Sequence, residues 1–84
     1  MNRYQPINCD LHDFLEIACL YGYRLDVELV NGQRFQATAL TIQTLANEGE
    51  FIYFDNQQVC RLDHLSAITP KERDALFGRI ALTE

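Results

Sequence analysis

One change of period constrains this chain more than any other feature. Leu11, Phe14, Leu15, Ala18 and Cys19 fall at i, i+3, i+4, i+7 and i+8, the apolar stripe of an amphipathic helix. From Arg24 onward the spacing halves. Leu25, Val27 and Leu29 alternate with polar residues, as in a strand with one wet face. The chain therefore predicts one helix followed by short strands that must curl round a shared core.

Local signals set the expected boundaries. Residues 1–9 read as an extended lead-in. Asp10 suits an N-cap and Gly22 suits the residue past a helix end, which predicts a helix over residues 10–21. Asn31-Gly32 between two alternating runs predicts a type I′ hairpin. The return strand buries Phe35, Ala37 and Ala39, after which Leu40 and Ile42 take the opposite parity. Such a phase switch predicts a bulge or sharp bend near Ala39. A loop at Asn47-Glu48-Gly49 precedes an apolar central strand, Phe51–Phe54. Asp55-Asn56 turns the chain into Gln58–Leu62, and a short strand follows over His64–Thr69. Thr69-Pro70-Lys71-Glu72 has the form of a capping box with Pro at the first helical position, predicting a short helix from Pro70 to Phe77 that stops at Gly78. Residues 79–84 fit either a strand or a tail. The layout is mainly β with an N-terminal helix. It predicts one domain over residues 1–84, a five-stranded bent barrel of Sm-like type with a short C-terminal helix. An OB-like barrel usually inserts a helix between its third and fourth strands, and no helical pattern stands there.

Charge narrows the function. The 84 residues carry a formal net charge of −5. Residues 1–50 hold seven acids against three bases, and residues 51–84 hold five against four, so the excess is concentrated in the first part. Strong nucleic-acid binding requires Lys and Arg to displace counterions from phosphates. Lys71 is the one lysine, so direct nucleic-acid binding is disfavoured and a basic partner expected. The opening Met1–Pro6 is polar, and the longest apolar run, Ile17–Tyr21, is far too short to span a bilayer. With Cys9, Cys19 and Cys60 an odd set without framework spacing, the expectation is a cytoplasmic protein with reduced thiols and no membrane attachment.

At 100° per residue, Asp13, Glu16 and Leu20 point away from the buried stripe, with Asp10 and Ile17 flanking them. Exposure of Ile17 and Leu20 would make this face mixed acidic and apolar, as docking surfaces often are. Three other readings compete. Cys9-x2-His12 with Cys60-x3-His64 has the local spacing of a structural zinc site. A thiol enzyme would need a base beside one cysteine, and no local signature supplies it. An RNA-binding module follows from the barrel alone, and the lysine shortage opposes it.

Tyr4-Gln5-Pro6-Ile7-Asn8-Cys9-Asp10, followed by Asp13, Leu15-Glu16 and Ala18-Cys19, resembles the opening signature of the Rof family, the Rho-binding antiterminators. The remainder agrees in strand order and in the hairpin turn at Gly32. The resemblance implies an Sm-like fold and a non-enzymatic role without cofactor or metal. It implies a monomer that binds the N-terminal, RNA-binding domain of termination factor Rho and keeps it from engaging transcripts. The family's acidic helix contacts carry over to Asp10, Asp13 and Glu16, and its polar loop contacts to Asn47 and Glu48. Tyr4 and Asn8 belong to the signature, either as contacts or as locks that hold the lead-in to the barrel.

Overall fold

The computed structural model describes residues 3–82; the final two residues of the 79–84 stretch lie outside them. The helix α1 spans Cys9–Tyr21. Its N-cap is Asn8 rather than Asp10: the Asn8 carbonyl accepts from the His12 N–H at 2.9 Å and its side chain accepts from the Asp10 N–H at 2.8 Å. Asp10 instead occupies the first turn, where the helix dipole favours an acid. The C-terminal end follows the expected pattern. Gly22 takes φ 63°, its N–H donates to Cys19, and the Tyr23 N–H reaches back to Ala18, closing a Schellman motif.

Six strands follow: β1 (Arg24–Leu29), β2 (Arg34–Leu45), β3 (Gly49–Phe54), β4 (Val59–Arg61), β5 (Leu65–Pro70) and β6 (Ile80–Ala81). They form an antiparallel sheet in the order β4-β3-β2-β1-β5-β6. The mainly β architecture with one N-terminal helix is as expected, with two differences. The sheet has six strands rather than five, and no ladder joins β4 to β6 among the described residues, so the barrel is not closed. The long strand β2 bends the sheet. Its first half pairs with β1, its second with β3, and the register shifts between Ala39 and Thr41. The bulge falls where the parity switch placed it. Leu40, expected to turn inward, is the extra residue and lies 53% exposed, whereas Ile42 packs against the core.

One turn and one helix differ from expectation. Among the Asn31-Gly32 pair only Gly32 has positive φ, at 91°, so the hairpin is not type I′. The Leu29 carbonyl accepts from Gly32 and its N–H donates to Gln33, a three-residue loop with a glycine bulge. The helix expected over residues 70–77 does not form. Pro70 ends β5 opposite Leu25, and the Lys71 N–H donates to Arg24 O at 2.8 Å. Glu72, the expected capping-box acid, accepts from the Arg24 N–H at 3.1 Å instead. An isolated two-turn helix is marginal in water, so extension of the β1–β5 ladder wins. The segment after it runs irregularly beside α1, with Phe77 against Phe14 and Tyr23 at ring separations of 5.1 and 5.9 Å, before β6 pairs with β5.

The core draws on every layer. Leu15 and Ala18 from α1 meet Leu25, Val27, Ile52, Leu62, Leu65 and Ile68, all fully buried. The expected central strand, β3, is an interior one: Ile52 and Phe54 point into the core between β2 and β4. A single 3-10 turn, Leu62–His64, carries the chain from β4 to β5. None of the helices among the described residues is long and apolar enough to cross a membrane.

Candidate functional site

The outer face of α1 divides into two parts. Asp13 and Glu16 are exposed and stand beside His12, their side-chain polar atoms lying within 4.8 Å of one another. Asp13 and Glu16 at i, i+3 and His12 and Glu16 at i, i+4 are neighbours on the helix surface, which gathers the cluster round Glu16. Asp10 is also exposed but lies on another flank, beside a groove lined by Gln5, Pro6, Ile7, Leu11, Asp63 and Leu82. Ile17, a candidate for the mixed face, packs against the core instead. Leu20 remains outward at 78% exposure, beside Leu40 and Ile42 on β2.

Asn47 and Glu48 are exposed on the tight turn between β2 and β3. Asn47 sits at φ 66°, a conformation its short amide side chain tolerates better than most, and the Glu48 N–H donates to Leu45 O at 3.0 Å. The turn ends at Gly49 and Glu50, and Glu50 connects it to the helix. Its Oε2 lies 2.8 Å from His12 Nε2, and its Oε1 accepts the Tyr4 hydroxyl proton at 3.3 Å. An ionised carboxylate only accepts, so His12 Nε2 must carry the proton in this contact. His12 Nδ1 faces Glu16 Oε2 at 3.8 Å. The helix pair Asp13 and Glu16 and the turn pair Asn47 and Glu48 are thus joined through His12 and Glu50.

The lead-in is anchored at the same place. The Tyr4 ring lies on Gly49, under the Arg61 guanidinium at 5.8 Å. Burial, then the charge and hydrogen bond of Glu50, push the Tyr4 hydroxyl up to about 12, which keeps it a proton donor. The Gln5 N–H donates to Asp63 at 2.9 Å, and Arg61 pairs with the same carboxylate at 2.6 Å. Tyr4 therefore locks the lead-in to the sheet, and Asn8 caps the helix.

Among the described residues, the close group of potential metal ligands is His12, Asp13 and Glu16, so the Cys9, His12, Cys60, His64 quartet is not assembled. Burial and then the Glu16 charge push the Cys19 thiol up to about 11, and burial raises Cys60 as well, the opposite of what a nucleophile needs. Sequence reasoning missed His12 and Glu50 as a pair. They are separated by 38 residues, and no local signal links them.

A bent antiparallel sheet carrying one helix, with carboxylates held outward on that helix, defines a small acidic domain. Residues 6–82 match the family model described as "Modulator of Rho-dependent transcription termination (ROF)", and the chain belongs to this family. It is 46% identical to Protein rof of Escherichia coli (strain K12) over 86 aligned positions, covering 99% of this chain and 96% of that protein. The same figures hold for Protein rof of Shigella flexneri. The solved structure of YaeO bound to magnesium from Vibrio cholerae O395 has the same fold. Its TM-score is 0.76 at 20% identity, covering 84% of this chain and 96% of that one. The chain is accordingly a modulator of Rho-dependent transcription termination.

Proposed function

We propose that this chain inhibits Rho-dependent termination by docking its acidic face on the N-terminal, RNA-binding domain of Rho. Asp13 and Glu16 form the centre of the contact, Asn47 and Glu48 one margin, and Asp10 the other. A site that holds RNA phosphates presents Arg and Lys, and carboxylates on a rigid helix satisfy those donors through charge-assisted hydrogen bonds. The observation that carries this reading is the Asp13–Glu16 pair, exposed together on a helix whose other side is anchored in the core. The protein then acts in the cytoplasm as a monomer when free. It needs neither cofactor nor catalytic step, because occupying the RNA site is sufficient.

The test is affinity for purified Rho after single charge reversals. Asp13→Lys and Glu16→Lys should each weaken binding more than tenfold while leaving the melting temperature nearly unchanged, since both side chains are exposed. Added salt should slow association more than it speeds dissociation. Wild-type affinity in both reversals would remove the helix face from the interface. Competition by single-stranded RNA should displace the wild-type chain from Rho; a ternary complex would refute the blocking mechanism.

A further inference from the structure

Glu50 reads, from charge and position, as one more acidic contact beside Glu48. The geometry gives it a different task. Both of its oxygens are already engaged within the chain, Oε2 with His12 at 2.8 Å and Oε1 with Tyr4 at 3.3 Å. Its side chain is 28% exposed and that of His12 22%, against 60% for Glu16. His12 lies next to Asp13 in sequence and one turn before Glu16, while Glu50 lies two residues after Glu48. The His12–Glu50 contact therefore bridges the two segments that supply the acidic face.

We infer that Glu50 is a positioning residue, which with His12 clamps the helix carboxylates and the Asn47–Glu48 turn into one rigid recognition surface without itself touching Rho. The inference rests on the docking reading above. Its physical basis is preorganisation. Two half-sites held at fixed separation meet two cationic groups without ordering on contact, whereas half-sites that move independently lose affinity to that ordering. The turn depends on the clamp because Asn47 and Gly49 both hold positive φ, at 66° and 108°, and Gly49 lies directly under the Tyr4 ring. A positioning acid and a contact acid respond differently to loss of charge. Gln at position 50 still accepts from His12 through its carbonyl and donates to the Tyr4 oxygen through its amide. It keeps the clamp while removing the charge that a contact would need.

The experiment measures affinity of the full chain for purified Rho well below the melting temperature of each variant. Glu50→Gln should bind within threefold of wild type. Glu50→Ala and His12→Ala should each bind at least tenfold more weakly. The His12→Ala/Glu50→Ala double variant should be no weaker than the poorer single one, because either truncation opens the same clamp. His12→Ala leaves β3 untouched and serves if Glu50→Ala does not fold. Equal loss in Glu50→Gln and Glu50→Ala would make Glu50 a charge contact and overturn the inference. Wild-type affinity in both alanine variants would overturn it too, leaving the docking reading intact. No Rho binding by the wild-type chain would sink the docking reading and the inference together.

Discussion

Gly49→Ala is the most informative single change in this molecule, because two independent costs meet at one methyl group. The backbone sits at φ 108°, where an L side chain is strained by about 1–3 kcal/mol. A Cβ there would also lie 2.5 Å from Tyr4 Cγ and 2.6 Å from its Cδ1. These atoms lie at the root of the ring, so the conflict cannot be relieved by swinging a flexible tip, and overpacking of this kind adds about 1–3 kcal/mol. Gly32→Ala is the internal control: its φ is 91°, and nothing lies within 4 Å of the added Cβ. It should incur the conformational cost alone. The difference, about 1–3 kcal/mol, corresponds to roughly 4–24 °C in a domain this small. Urea and thermal unfolding followed by circular dichroism would measure both variants, and Tyr4→Ala in the Gly49→Ala background should recover part of the gap. Equal destabilisation of the two glycine variants would refute the reasoning, since it would mean Tyr4 does not rest on the turn.

Other outcomes follow from the same geometry. Gln57 holds φ 71° in a turn whose hydrogen bonds repeat those around Gly32, so Gln57→Gly should raise stability by about 0.5–1 kcal/mol in urea titrations. Asn8→Ala should cost about 1 kcal/mol through loss of the cap, and Asp10→Ala clearly less; the reverse order in urea unfolding would restore Asp10 as N-cap. Burial pushes the Asp63 carboxyl up, but the Arg61 hydrogen bond, the Gln5 N–H and the charges of Arg61 and His64 outweigh it and leave it below its ordinary value. Its ionised form therefore adds stability above the unfolded value of about 3.9, a contribution lost as pH falls through the depressed folded value. Arg61→Ala should flatten that acid limb in unfolding measured from pH 7 down to pH 2.5.

Much of this architecture was legible in the residues, and the failures have a common cause. The helix could be read because five apolar positions repeat at one period and Gly22 stops them, all within local reach. Its N-cap lies two residues before the expected one, and its start one residue earlier, because Asn8 and Asp10 are both good caps. The choice falls to the lead-in, tied by Tyr4 and Gln5 to Glu50 and Asp63 far along the chain. The helix expected after Thr69 was lost in the same way. Glu72 has a better acceptor role at Arg24, 48 residues away, than at its own helix start. At the candidate site, charge and helical phase give the outward aspect of Asp13 and Glu16, while their part as contacts follows only from the family resemblance. The His12–Glu50 clamp could not be read, since only the folded chain brings Glu50, at the start of β3, to the side of His12. Leu40 shows the limit of parity arguments: a bulge shifts the count, and the residue at the bulge belongs to neither face.

Leaving the sheet open exposes two rows of backbone donors and acceptors, which in many proteins recruit further chains into fibrils. Here the terminal strands are the shortest in the molecule, three residues in β4 and two in β6. Arg61 closes one and Arg79 immediately precedes the other. A stacking neighbour would find too few consecutive groups to pair with at either end. Sequence changes that lengthen β4 past Arg61 are therefore those most apt to drive self-assembly.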